Sequence, residues 1–232
     1  MYSFWKTLDR AMLRDIALVC LAVGVIGLSY GAIAAAAGFP LWFPVVLGLL
    51  VVAASSEFLF VGIIAAGGSP VAAVLAGLLV NARHLPFGLS VPDVLGRGPW
   101  RFLGTHLMND ETVVFAMSEK DPARGRAAYW ACGLGILVCW PVGATIGGVA
   151  GTVIEDTDAF GLDAMFPAIL LALILPALRA ESDKRRAALT GAVIALAATP
   201  FLPAGLPVLL ALVGLVTTAV PGKAGKAGKV LR

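Results

Sequence analysis

The chain is predicted to be an all-α polytopic membrane protein with about seven to eight helical passages, six as the lower limit, some of them broken, in two related halves. Composition, the length of the apolar runs and the placement of charge make that prediction. Of 232 residues, 59 % are hydrophobic and 13 % charged, against about 25 % charged in ordinary soluble domains, and mean hydropathy is +0.94. Apolar runs cover 16–38, 41–66, 71–80 with its continuation, 127–154, 164–178 and 187–220. A bilayer span takes about 20 such residues. The runs are continuous rather than alternating, so helices with internally satisfied backbones are required, not a barrel.

Charge sits at the ends of the runs. Lys6, Arg10 and Arg14, the loop with Lys120, Arg124 and Arg126, the loop with Arg179, Lys184, Arg185 and Arg186, and the tail with Lys223, Lys226, Lys229 and Arg232 mark the cytoplasmic side. The loop 155–163 carries Glu155, Asp156, Asp158 and Asp163 without Lys or Arg and belongs outside. The N-terminus is therefore expected in the cytoplasm. A net charge of +3 distributed in this way signals topology and not nucleic acid.

Residues 1–14 form an amphipathic segment in which Tyr2, Phe4 and Trp5 suit the membrane interface. Ala34, Ala35 and Ala36 imitate a signal-cleavage site, but the run is long and polytopic sequence follows, so no cleavage is expected. A faint duplication then divides the chain. Gly27-x-x-x-Gly31 recurs at Gly143 and Gly147, Phe43-Pro44 at Phe166-Pro167, and Leu85-Pro86-x-Gly88-Leu89 at Leu202-Pro203-x-Gly205-Leu206, at separations of 116, 123 and 117 residues. This gives a first repeat at 15–96, a connecting segment at 97–126, a second repeat at 127–222 and a basic tail at 223–232. Within the second repeat, Pro200, Pro203, Gly205 and Pro207 fold the run 187–220 into a hairpin with both ends cytoplasmic.

Three polar clusters interrupt the apolar runs: Ser55-Ser56-Glu57, Asn81-Ala82-Arg83-His84, and His106 with Asn109-Asp110-Glu111-Thr112. A charge at membrane depth costs about 2.5–3.5 kcal/mol on insertion scales, so it faces a partner or water and marks function. Pro86 and Gly88 are expected to break the helix beside Arg83, and Gly62, Gly67 and Gly68 to loosen the helix after Glu57. Arg83 at a helix end reaching the headgroups is the plainer alternative. Glu57, Arg83 and Asp110 are expected to meet in one cavity, because an arginine between two acids is cheaper to bury than three separate charges.

Catalysis finds little support. There is no G-x-S-x-G elbow, phosphate loop, dinucleotide fingerprint or H-E-x-x-H, so no catalytic residue, metal or cofactor is expected. His106 and Asp110, four apart, share a helix face at a ligand spacing, but no third ligand follows. Cys20, Cys132 and Cys139 lie inside apolar runs without a C-x-x-C pair and are expected to be free thiols.

The order Ala54-Ser55-Ser56-Glu57-Phe58, Leu79-Val80-Asn81-Ala82-Arg83-His84 and Asn109-Asp110-Glu111-Thr112 resembles the AzlC-like large subunits of bacterial branched-chain amino acid exporters. The likeness extends from about Gly24 to Val220 and is most specific in the middle third. Pro86 departs from it, where a larger aliphatic or aromatic residue is expected. The resemblance implies a multi-pass protein of the bacterial cytoplasmic (inner) membrane. It implies work with a small AzlD-like membrane subunit and export of hydrophobic amino acids of the valine, leucine, isoleucine and methionine type. On that reading Ser55, Ser56, Glu57, Asn81, Arg83, Asn109 and Asp110 bind substrate, and Glu57, Asp110, Glu111, His84 and His106 are candidates for coupling export to protons. A channel or uniporter for a small polar solute is the alternative, and an intramembrane enzyme a more distant one.

Overall fold

The computed structural model of the protein describes residues 7–152, 171, 175 and 178–216. The acidic 155–163 loop, Phe166-Pro167, the Tyr2-Phe4-Trp5 group and the basic tail lie outside the described residues. Among the described residues the regular structure is helical: α1 (Arg10–Ala36), α2 (Trp42–Val51), α3 (Ala54–Ala65), α4 (Pro70–Asn81), α5 (His84–Ser90), α6 (Trp100–His106), α7 (Asp110–Ser118), α8 (Pro122–Gly151), α9 (Ser182–Ala198) and α10 (Leu206–Leu210), the last continued by a 3-10 turn over Ala211–Leu215. Among the described residues three stretches are long and apolar enough to cross a bilayer: α1, α4 with α5 as Pro70–Ser90, and α8. The protein is an integral membrane protein of the helical class.

The frame is the pair α1 and α8, which run in the same direction. Asp9 caps α1 by accepting from the Met12 N–H at 2.9 Å, and Asp121 caps α8, with Pro122 at the first helical position. Arg124 joins the two starts, bonding Asp9 at 2.8 Å and Glu119 at 2.9 Å. Further along, Cys20 faces Cys132, Gly24 faces Cys139, and a Cβ on Gly27 would stand 2.8 Å from the Trp140 carbonyl and 3.2 Å from Gly143 Cα. A Cβ on Gly31 or Gly147 would overlap the carbonyl of Ala144 or Leu28. The two G-x-x-x-G strings thus pack against each other, which is what small-residue spacing achieves in membranes. All three cysteines are free; Cys20 and Cys132 are buried and Cys139 is half-buried.

Between these helices the chain makes two hairpins from opposite ends of the frame. The α2–α3 pair is the first: Phe43 stacks on Phe60 at 5.9 Å, and Gly48 lies beside Glu57, so α3 runs back along α2. Leu41, where α2 begins, touches Gly148 near the far end of α8. The turn is Val52-Ala53, with Val52 left-handed at φ 52°. The continuous apolar run 41–66 therefore enters and returns rather than crossing. Its break falls upstream of Glu57, not at the glycines that follow.

The α6–α7 pair enters from the near end. Tyr129 donates to the Gly104 carbonyl at 2.7 Å, Leu107 packs on Gly133, and Ala116 lies against Gly125. Both flanks thus lie toward the start of α8, and the tip at 107–109 reaches about eleven residues along it. At 1.5 Å per residue that is roughly 16 Å, near half the thickness of the hydrocarbon core. The polar Asn109-Asp110-Glu111-Thr112 string is held at that depth because Asn109 and Thr112 cap each other at 2.9 Å in a capping box. His106 and Asp110 end up on different helices, so they do not share a helix face.

The helix holding Arg83 breaks at Ala82-Arg83, one turn before Pro86. Proline cannot donate to the carbonyl four residues earlier, which is Ala82, and it is tolerated in the first turn of the new helix. The described part of run 187–220, residues 187–216, turns back at its prolines. Gly205 takes φ 94°, and Gly214 returns to pack on Ala187 and Gly191.

Candidate functional site

The two hairpin tips face each other at mid-depth and enclose a cavity of about 120 Å³. Its walls come from Val23 and Ile26 of α1, the Val52–Ser55 turn with Phe58, Arg83, Asn109–Glu111, and Ile136 with Trp140 of α8. The first turns of α3 and α7 both line it. N–H groups in a helix's first turn have no intrahelical acceptor and carry the positive end of the dipole, so each tip brings a positive helix end to the polar side of the cavity, beside Arg83, Asp110 and Glu111, and the remaining walls are mainly apolar.

Arg83 ties the pieces together. Its Nε and Nη2 reach Asp110 Oδ2 at 3.1 and 3.0 Å, Nη2 also reaches Ser55 Oγ at 2.8 Å, and Nη1 reaches the Val80 carbonyl at 3.0 Å. A guanidinium has five N–H hydrogens. One Nη1 hydrogen is left for a ligand, and the side chain keeps 27 % of its surface. Asp110 neutralises the cation, while Glu111, the next residue, also faces the cavity and makes no ion pair among the described residues.

Glu57 is brought close but not into this group. It is 1 % exposed; its Oε1 accepts from the Ala53 N–H and its Oε2 from the Trp140 indole, both at 3.0 Å. The Tyr30 hydroxyl stands beside the same carboxylate, short of a well-formed hydrogen bond. Arg83 and Asp110 therefore meet as the sequence suggests, with Glu57 behind the cavity wall, bonded to two lining residues. On its other side Glu57 lines a second, mainly apolar cavity of about 170 Å³ with Ser56, Gly77 and Asn81.

The remaining candidates divide between structure and site. Ser56 Oγ donates to the Ala53 carbonyl at 2.8 Å and Asn109 serves the capping box, so both hold tips in shape. Asn81 Oδ1 is buried in the second cavity with no hydrogen-bond partner among the described residues. His84 donates Nδ1–H to the Asn81 carbonyl at 3.0 Å, which leaves Nε2 buried and unbonded. His106 donates from Nε2 to the Leu49 carbonyl at 2.8 Å, linking one hairpin to the other. Among the described residues no three His, Cys, Asp or Glu side chains converge on a metal-sized site.

The aromatic group around Glu57 escaped the sequence reading. Tyr30 stacks on Trp140 at 5.1 Å and meets Phe58 edge-on at 5.3 Å. A signal was available, since tryptophan favours membrane interfaces and Trp140 stands in the middle of an apolar run.

Comparison with known proteins gives a consistent picture. The family model described as AzlC protein matches residues 18–154. The chain is 27 % identical over 198 residues, 83 % of its own length and 77 % of the relative, to the branched-chain amino acid transport protein AzlC of Bacillus subtilis. It is 29 % identical over 134 residues, 56 % of its length and 54 % of the relative, to an uncharacterized membrane protein of Haemophilus influenzae. To an uncharacterized membrane protein of Helicobacter pylori it is 24 % identical over 84 % of its length and 86 % of the relative. No solved structure matches.

Proposed function

We propose, from the premise that the chain belongs to the AzlC family, that it is a proton-coupled carrier exporting hydrophobic, branched-chain amino acids across the bacterial cytoplasmic membrane. The observation that carries this reading is the cavity between two helix N-termini, where Arg83 with a hydrogen to spare, an unpaired Glu111 and an apolar wall stand together. An aliphatic amino acid presents a carboxylate, an ammonium and a greasy side chain. Broken-helix N-termini suit the first, a carboxylate the second, and Val23, Ile26, Ile136 and Trp140 the third. The volume is on the scale of the ~150 Å³ cavity known to hold benzene.

Glu57 is the proposed coupling group. As a carboxylate it accepts from the Ala53 N–H and so holds the turn that lines the cavity. Protonation removes charge from that acceptor and weakens the bond, because charge-assisted hydrogen bonds are roughly twice as strong as neutral ones. Proton entry is thereby connected to the shape of the site. A small AzlD-like subunit is the proposed neighbour, on the strength of the family resemblance, with the N-terminus in the cytoplasm by the charge rule.

Vesicles reconstituted with the protein, alone and with a small subunit, test the reading. Saturable valine movement that shows counterflow and responds to a pH gradient is the expected result. Non-saturating conductance points to a channel, and absence of valine movement in both preparations overturns the proposal.

A further inference from the structure

A second feature lies away from that cavity and does not depend on what the carrier moves. The loop 91–99, α6 and the early turns of α8 enclose an open groove of about 510 Å³ lined by Gly96, Arg97, Trp100, Leu103, Arg126, Trp130 and Leu134. Its two walls carry the same series. On α8, Arg126, Trp130 and Leu134 are spaced by four and share a face, about 6 Å apart along the axis. Opposite them, Arg97, Trp100 and Leu103 are spaced by three.

Cation, then indole, then aliphatic is the order met on passing from headgroups into the hydrocarbon. Neither arginine is paired with an acid among the described residues. Arg126 donates one Nη2 hydrogen to the Asp93 carbonyl at 2.7 Å, and Arg97 has no side-chain partner. Among the described residues no carboxylate lines the groove. Trp130 donates its indole N–H to the Val94 carbonyl at 2.8 Å, which fixes the ring while leaving it as a wall. Trp100 is 64 % and Leu134 43 % exposed.

We propose that this groove is a binding site for an anionic phospholipid, with the phosphate between Arg97 and Arg126 and one acyl chain descending over Trp130 and Leu134. Two unpaired guanidinium groups call for a phosphate, and the apolar wall directly below them calls for a tail. Free phosphate would use only the upper part of the groove. A zwitterionic phospholipid also offers a phosphate, but its trimethylammonium cancels that charge and would stand beside two arginines with no acid among the described lining residues, so net charge favours the anionic lipid.

Native mass spectrometry of the full chain in neutral detergent, offered equal amounts of dioleoyl phosphatidylglycerol and dioleoyl phosphatidylcholine, tests the proposal. Wild type should retain the glycerol lipid at least fivefold over the choline lipid, and excess inorganic phosphate should not displace it. Arg97→Gln with Arg126→Gln should bring the ratio close to one while gel filtration and circular dichroism stay unchanged. Arg97→Gln alone, which breaks no bond in the fold, serves if the double variant is unstable and should at least halve the ratio. Arg185→Gln, on α9, should leave the ratio as in wild type. Equal retention by wild type, an unchanged ratio in a folded groove variant, or an equal fall in the Arg185 variant overturns the site. Displacement by inorganic phosphate overturns the lipid assignment.

Discussion

Trp140 and Glu57 stand 83 residues apart in the chain, and the indole N–H of one meets a carboxylate oxygen of the other at 3.0 Å in the protein interior. The bond fixes the back wall of the cavity, because Trp140 also lines it. Replacing Trp140 with Phe keeps an aromatic ring against Tyr30 but removes one of the two donors to a buried carboxylate. Such a loss costs about 1–3 kcal/mol, to be read from thermal unfolding in detergent. The same variant enlarges the cavity, so phenylalanine should compete with valine better than in wild type. An unchanged competition profile in transporting vesicles would remove Trp140 from substrate selection.

Glu57→Gln retains the size of the side chain and an amide oxygen to accept one N–H. Valine counterflow should survive, whereas uptake driven by a pH gradient should fall to the level of empty vesicles. Pump-like behaviour in the carboxamide variant would show that the coupling proton binds elsewhere.

Arg83 holds Asp110, Ser55 and Val80 with one planar group, a geometry lysine cannot reproduce. Arg83→Lys is expected to raise the concentration for half-maximal valine exchange roughly tenfold, equivalent to ~1.4 kcal/mol. Asp110→Asn leaves the cation without its counter-charge and should reduce stability as well as exchange. Combining the two substitutions should do less harm than the sum of their separate effects, since both act through one pair. Strict additivity in unfolding measurements would contradict that.

Val52 occupies the left-handed region although it is β-branched, and it is 3 % exposed. Left-handed backbone costs an ordinary residue about 1–2 kcal/mol, which glycine escapes. Val52→Ala loses packing and keeps the strain; Val52→Gly loses slightly more packing and relieves it. The glycine variant should therefore be the more stable of the two by about 1 kcal/mol. Thermal unfolding in which alanine outperforms glycine would show that the turn is not strained.

The seam between α1 and α8 allows a contrast within one residue type. A methyl on Gly31 would overlap the Ala144 carbonyl, and a methyl on Gly62 would meet nothing within 4 Å. Gly31→Ala should destabilise by about 1–3 kcal/mol, as overpacking does. Gly62→Ala, inside a helix and free of contacts, should be neutral or slightly stabilising. Equal melting temperatures would argue against the close crossing.

At the near end, the Met12 N–H and then the Arg124 guanidinium hold the Asp9 carboxyl below its ordinary value. A depressed carboxyl stabilises the folded chain fully above its unfolded value near 3.8 and loses that contribution as pH falls through the folded value. Stability of wild type should thus fall more than that of Asp9→Asn on passing from pH 6 to about pH 3, with the two curves converging at the acid end. Parallel curves would show that Asp9 plays no part.

Helical membrane architecture was legible from run length and charge placement, and the Arg83–Asp110 meeting from the cost of burying either alone. The hairpins were not. From Leu49 to Val61 the sequence contains no glycine or proline, so the turn at Val52 is imposed by packing against Trp140 and its neighbours and has no local signature. At Arg83 the signature existed in Pro86 but was displaced by a turn, because proline marks the start of the following helix as readily as a break within one. Glu57 was legible as a deep acid; its partner Trp140 was not, since an indole in a greasy run looks like bulk until the opposing carboxylate is in place.

The meeting of the two tips has an electrical consequence. The two turns are joined through His106 on Leu49 and through Arg83 on Ser55 and Asp110. Charge that moves within the hydrocarbon moves through part of the transmembrane field. Each elementary charge moved through it is worth about 2.3 kcal/mol per 100 mV. Any step of the proposed cycle that shifts charge past Arg83 and Asp110 is therefore expected to depend on membrane voltage.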